Sequence, residues 1–378
     1  MSYSLATIWY ERNRFLPAIL AVAFSAMLIV LQTGLLVSLL AMMSVPVDKA
    51  QADIWVGYPG VRSVDLGRPI PDRWISRVLA QPEVVRAEPM MIGFALWTRP
   101  IREEAPSPPE VCTIVGTRLD SESLGAVEAV RKNRDLLANL SEPGAVVVDR
   151  SEFHRLGIRQ VGDQAEIFGH RVKVVGVVDG YKSLSGPYVF CSLETARPLL
   201  RIRPEDTTYL VARCQSPEQV PGVIEQLQTI PKMQAFSAPD FSMRSRMHWL
   251  TTTKAGLALG FTALLGLLVG AVVTSQTLYS ATSASQREYA TLRAMGIPRW
   301  RLKASVLAQS FWVGFAGLLL AIPITWLLTE IAQLLGTQIR LPAMIILAGS
   351  VITMAMALLS GLAALRSFSG VDPAHNIR

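Results

Sequence analysis

Four stretches without a charged side chain, Phe15 to Val47, Ala255 to Gln286, Ala304 to Thr329 and Leu341 to Leu365, constrain this chain more than any other feature. Each exceeds the ~20 residues a helix needs to cross a bilayer core of about 30 Å. Only 17% of the side chains are charged, against roughly 25% in soluble domains. The expected class is an α-helical membrane protein with four spanning helices. The first run follows Glu11, Arg12 and Arg14, as the apolar region of a secretory signal would. Such a region is only about 7–15 residues long, so this one reads as a retained anchor.

Orientation follows from basic residues near the helix ends. Arg287, Arg293, Arg299, Arg301 and Lys303 crowd the connection between the second and third runs, whereas Glu330 and Arg340 are the charges between the third and fourth. The positive-inside rule puts the basic island in the cytoplasm, and with it both termini. The net charge of +7 is then accounted for by cytoplasmic loops, and no nucleic-acid partner is expected. The resulting plan is a cytoplasmic start (1–14), a first helix with its stalk (15–45), an outer domain (46–248), a stalk and second helix (249–282) and a cytoplasmic loop (283–303). A third helix (304–329), a short outer loop (330–340), a fourth helix (341–365) and a cytoplasmic end (366–378) complete it.

The outer segment is large enough for its own core and reads as mixed α and β. Short β-branched runs, Val146 to Val148, Ala165 to Phe168 and Val172 to Val178, alternate with glycine turns, as strands of a small barrel or sandwich do. Trp74, Ile75, Val78 and Leu79 are spaced for a helix, and Ser216, Pro217 and Gln219 make a helix start with a capping box. Arg102 to Glu110 reads as a proline-rich loop.

Chemistry is scarce. The four runs hold no Asp, Glu or His, so ion coupling by intramembrane carboxylates is not expected. The nearest approach to a phosphate loop, Gly176 to Ser183, has Tyr181 between the glycine and lysine that the motif needs side by side. Cys112, Cys191 and Cys214 are too scattered for a disulfide framework, and four dispersed histidines suggest no metal. The chain is expected to be no enzyme and to carry no cofactor. Gly256 with Gly260, and Gly266 with Gly270, are small-residue pairs that suit either a dimer seam or packing within one subunit. A continuous helix over the second run would measure about 48 Å, longer than the bilayer core. Its surplus, and that of the first run, would form rigid stalks below the outer domain.

The basic island contains a short amphipathic helix. Tyr289, Leu292 and Met295 share one face beside Arg287, Glu288 and Arg293, and Gly296 with Pro298 stops it. Two readings fit: a helix resting on anionic headgroups, or a docking knob for a partner.

The run SQREYATLRAMGIPRWRLKASVLAQSFWVGFAGLLLAIP resembles the signature of the MacB-like and FtsX-like permeases of ABC transporters, with a core R-E-x-x-x-[LM]-[RK]-A-[LMV]-G. The closing ALRSFSGVDPAHNIR, and ADIWV, VVVDRSEFHRLGIRQVGDQAEI and VFCSLETA in the outer segment, are similar to the same family. ERNRFLPAILAVAFSAMLIVLQTGL and ADIWVGYPG look nearest to its DevC-like branch. The resemblance implies an α+β periplasmic core domain inserted between helices one and two. It makes Arg287, Glu288, Tyr289, Leu292, Arg293, Met295 and Gly296 the helix that meets an ABC ATPase subunit, which binds ATP and Mg. It further implies a homodimer in the bacterial inner membrane, working with a membrane-fusion adaptor and an outer-membrane channel to expel an amphiphile, glycolipid or lipid. An FtsX-like transmembrane signal transmitter acting on a wall hydrolase is the alternative.

Overall fold

The computed structural model describes residue 10 and residues 12–99, 108–183, 186–284, 298–334 and 341–368. The chain forms two compact units, residues 39–256 and residues 1–38 with 257–378. It begins with a long helix α1 (Arg12–Ala41) and a single turn α2 (Val45–Asp48). Next come β1 (Ile54–Gly57), β2 (Ile70–Pro71), α3 (Ile75–Leu79), β3 (Val84–Thr98) and β4 (Glu110–Thr117). Helices α4 (Glu128–Arg131) and α5 (Arg134–Leu140) lead to β5 (Ala145–Asp149), α6 (Phe153–Leu156), β6 (Gln164–Ile167) and β7 (His170–Val178). Then follow β8 (Tyr188–Ser192), α7 (Leu193–Leu200), β9 (Asp206–Thr207), β10 (Tyr209–Cys214), α8 (Val220–Gln228), β11 (Gln234–Ser237) and α9 (Ala238–Thr252). The last described elements are α10 (Lys254–Ala284), α11 (Arg299–Leu334) and α12 (Ala343–Phe368).

Strand β3 organises the 39–256 unit. Nine strands form one sheet in the order β11-β1-β10-β3-β4-β8-β5-β7-β6, and the far end of β3 also pairs with β6. The run β3-β4-β8-β5-β7-β6 therefore closes into a barrel. The first half of β3 pairs with β10 and its second half with β4, so one strand serves both an open sheet and the barrel. Met91, Trp97, Ile114, Val146, Val148, Val174 and Val189 pack together as the barrel core. One face of the open sheet presents Ile54, Val56, Leu210 and Ala212, which α3 and α8 cover with Val78, Val223 and Leu227.

The expected strands are present as β5, β6 and β7. Phe168, assigned to a strand by its apolar character, instead turns the β6–β7 hairpin with Gly169, at φ 48° and 85°. Positive φ at both central residues matches the natural strand twist, and the glycine there bears no steric cost. The capping box of Ser216 and Gln219 is formed. Helix α3 is shorter than its pattern suggests, with Trp74 and Val78 buried and Leu79 exposed.

Two boundaries differ from expectation because an apolar run does not say what covers it. The first run does not continue as a helical stalk: α1 stops at Ala41, and Met43, Val45 and Val47 are buried, the two valines in the core of the 39–256 unit. The described part of the second run forms one unbroken helix, α10, as its length suggests, and the break falls just before it. Thr253 is extended, at φ −96° and ψ 144°, between α9 and α10. Charge likewise fails to mark the ends of the third helix, since α11 takes in Arg299, Arg301 and Lys303 at one end and Glu330 at the other.

In the other unit, α1, α10, α11 and α12 each contain a stretch long and apolar enough to cross a membrane. Helix α1 contacts all three others where they carry glycine. Gly266 and Gly270 of α10 lie against Leu28, Gln32, Ser25 and Ile29, Gly317 of α11 against Val22, and Gly349 of α12 against Val30. A Cβ on Gly317 would come within 2.7 Å of Val22. Without a hydrophobic driving force between helices in lipid, such close backbone approach supplies much of the packing energy.

Candidate coupling site

A polar clasp joins the segments by which the chain enters and leaves the 39–256 unit. Asp48, at the end of α2, accepts bonds from Ser44 (2.7 Å), from Ser242 of α9 (2.6 Å) and from the Arg246 guanidinium (2.6 Å). Arg246 also donates to Ser44 at 2.8 Å. The geometry has a local cause: Pro46 in the first turn of α2 suits a one-turn helix that ends with Asp48, and the i, i+4 spacing of Ser242 and Arg246 puts both on one face of α9. Arg246 and Asp48 are 28% and 31% exposed, enough burial for a charge-assisted pair to hold its geometry.

Other faces of α9 are held as firmly. Phe241 is fully buried, stacked on Phe236 with centroids 4.9 Å apart and angled against Trp55 and Tyr209 at 5.6 Å each. Ser245 accepts from the Val64 amide at 3.0 Å, and the Arg244 guanidinium donates to the Val61 carbonyl at 3.0 Å. Trp249 donates its indole N–H to Ser63 (3.1 Å) and Asp65 (3.3 Å). Tyr188 of β8 reaches back to the Met42 carbonyl at 3.0 Å, so the entering segment is bonded to the barrel as well.

Asp65 is nearly buried, and Ser63 donates to it. Burial pushes its carboxyl above the ordinary aspartate value, against the opposing pull of the Ser63 and Trp249 hydrogen bonds and of nearby His248. The folded domain therefore keeps this proton to higher pH than the unfolded chain, so stability falls as pH rises from about 4 through the folded value. Asp65→Asn preserves an acceptor for Trp249 and abolishes that decline. Thermal melting should show the variant gaining on the parent at pH 8 relative to pH 4; parallel profiles would refute the assignment.

The residues that the sequence marks for coupling, Arg287, Glu288, Tyr289, Leu292, Arg293, Met295 and Gly296, lie outside the described residues, as does the loop 100–107. Gly266 and Gly270 face α1 of the same chain, and Gly256 and Gly260 fall in the first two turns of α10. The near-match to a phosphate loop is a turn after β7: the Tyr181 amide donates to the Asp149 carboxylate at 2.6 Å. The three cysteines are free and buried, and burial pushes the Cys112 thiol up to about 12. Sequence reasoning missed the clasp. Ser44, Asp48, Ser242 and Arg246 have no motif, and only the i, i+4 pair on α9 hinted at a shared partner.

An insertion of one α+β domain between the first two of four membrane-type helices, with its entry and exit segments clasped, defines a multi-pass membrane protein built around a single outer domain. The model of the MacB-like periplasmic core domain matches residues 15–230, and that of the FtsX-like permease C-terminal region matches residues 260–373. The chain belongs to the MacB-like, FtsX-like family of ABC transporter permeases, a family that implies a separate ATPase partner. Among solved structures it is similar to the periplasmic region of MacB from Actinobacillus actinomycetemcomitans, at 10% identity and a TM-score of 0.34, covering 52% of this chain and 94% of that one. It is also similar to the extracellular domain of the noncanonic ABC-type transporter YknZ from Gram-positive bacteria, at 12% identity and a TM-score of 0.34, covering 48% and 98%. No curated protein sequence matches.

Proposed function

We propose that this chain is the permease subunit of an ATP-driven export complex in the bacterial inner membrane, with both termini cytoplasmic. In this reading two copies pair with two ATPase subunits, and ATP-driven closure of the ATPases moves the outer domains. A membrane-fusion adaptor and an outer-membrane channel complete the path for an amphiphile, lipid or glycolipid, as in the DevC-like branch that the N-terminal residues resemble. The observation that carries this reading is the clasp. An outer domain whose entry and exit segments are bonded to each other through Asp48 receives movement of either segment as one body, which suits a mechanical transmitter better than a pore. The family's lack of need for an intramembrane charge relay agrees with four apolar runs free of acids.

The cytoplasmic island supplies the drive in this scheme, with Tyr289, Leu292 and Met295 as apolar knobs and Glu288 and Arg293 setting orientation. The test is co-purification of Glu288→Lys and Arg293→Glu variants with the cognate ATPase. Each is expected to lose the complex and the stimulated hydrolysis of ATP by about tenfold, the worth of one or two charge-assisted contacts at an interface. Full retention of both would overturn the assignment.

A further inference from the structure

Helix α11 carries an acid at the far side of the membrane-type unit. Glu330 lies 27 residues beyond Lys303, about 40 Å along the axis at 1.5 Å per residue. That is the thickness of a bilayer with its headgroup regions. With Lys303 at the cytoplasmic interface, Glu330 stands at headgroup level on the other side. It is the one acidic side chain among the described residues of this unit, and it makes no ion pair with any of them.

Glu330 also lines a cleft of about 600 Å³ between α1, α11 and α12, a volume in the range of small-molecule sites. One end is apolar, formed by Ala26, Leu318 and Ala321; the other carries Glu330 and Gln333. Leu318 and Gln333 are separated by about 22 Å along α11. The hydroxyl of Thr329 is spent on the Thr325 carbonyl (2.7 Å) and that of Ser350 on the Ile346 carbonyl (2.8 Å), so the carboxylate dominates the polar end. An apolar trough ending in one carboxylate at headgroup depth has the polarity of an amphiphile in reverse.

We propose that this cleft binds an outer-leaflet lipid with a primary-amine headgroup, its acyl chain along the trough and its ammonium group against Glu330. Charge complementarity selects this occupant. An anionic headgroup would meet a carboxylate that has no ion-pair partner among the described residues, while an ammonium group complements it. The proposal rests on the export reading only for the assignment of the leaflet and for the lipid's standing as cargo; binding itself requires no ATPase.

The test uses the full chain, equilibrated in mild detergent with equal amounts of phosphatidylethanolamine and phosphatidylglycerol of identical acyl composition, and native mass spectrometry of what stays bound. The parent should retain the amine lipid about fivefold over the anionic one, the factor that an interfacial ion pair supports. Glu330→Gln should bring the ratio to near one, Glu330→Lys should invert it, and Ser350→Leu, which fills the trough, should lower retention of both lipids. Equal retention by the parent, preference for the anionic lipid, or a ratio unchanged in Glu330→Gln would each overturn the proposal. None of these outcomes involves the ATPase, so co-purification of the partner stays an independent test of the export reading.

Discussion

Replacing Asp48 by alanine is expected to leave the outer domain folded but to disconnect its entry and exit segments, with a loss of partner-coupled activity far larger than the loss of stability. The substitution removes a shared acceptor from three donors at once, the hydroxyls of Ser44 and Ser242 and the guanidinium of Arg246, which keeps only its bond to Ser44. Charge-assisted bonds contribute about 1.5–3 kcal/mol where partly protected from water, so the whole clasp should cost the domain about 2–3 kcal/mol. Arg246→Ala should cost less, because Asp48 keeps both hydroxyl donors. A double-mutant cycle in urea unfolding reads the Asp48–Arg246 term directly. In the reconstituted complex, either variant should lower the coupling of ATP hydrolysis to movement of the outer domain by about fivefold or more, the scale of an ordinary coupling free energy. The exchanged pair Asp48→Arg with Arg246→Asp should recover part of that loss. Intact coupling in Asp48→Ala would show that the clasp is structural only.

Phe241→Ala is expected to be the most damaging single truncation in the 39–256 unit. Phe241 is fully buried and is the meeting point of Trp55 on β1, Tyr209 on β10 and Phe236 on β11, so α9 is attached to three neighbouring strands through one ring. Removing a buried phenylalanine costs about 3–5 kcal/mol, and each aromatic pair adds about 0.5–1.5 kcal/mol beyond area. For a unit of this size the melting temperature should fall by about 10 °C. Phe241→Leu, which retains most of the volume, should fall by much less. The check is thermal unfolding followed by tryptophan fluorescence; similar melting of both variants would show that the ring geometry contributes little. If α9 detaches before the barrel melts, Phe241→Ala will show two transitions, because the barrel core around Trp97 shares no ring with this cluster.

The broad plan was legible in the chain because lipid solvation leaves a one-dimensional mark. A run of apolar residues longer than about 20 has few other uses. Val146 to Val148 and Val172 to Val178 declared strands through β-branched residues, and Ser216 with Gln219 declared a helix start, since both signals are local. The ends of those elements were not legible. Val45 and Val47 look the same whether lipid or a folded domain covers them, and Phe168 looks like a strand residue until its hairpin is closed. Barrel closure depends on the pairing of Trp97 and Thr98 with Ile167 and Glu166, contacts about 70 residues apart that no window of sequence contains.

Sequence alone determined that the chain has four membrane-type runs with a folded domain inserted after the first, because hydropathy is a property of neighbours along the chain, and its motif spacing carried the resemblance to the permease family. Tertiary structure alone decided that Asp48 and Arg246, 198 positions apart, share a bond, that Phe241 is the ring which fastens α9, and that Glu330 closes a trough between three helices. The reason is physical: a half-buried ion pair, an aromatic cluster or a cleft forms only when distant groups are brought together, and nothing in the local sequence records that distance.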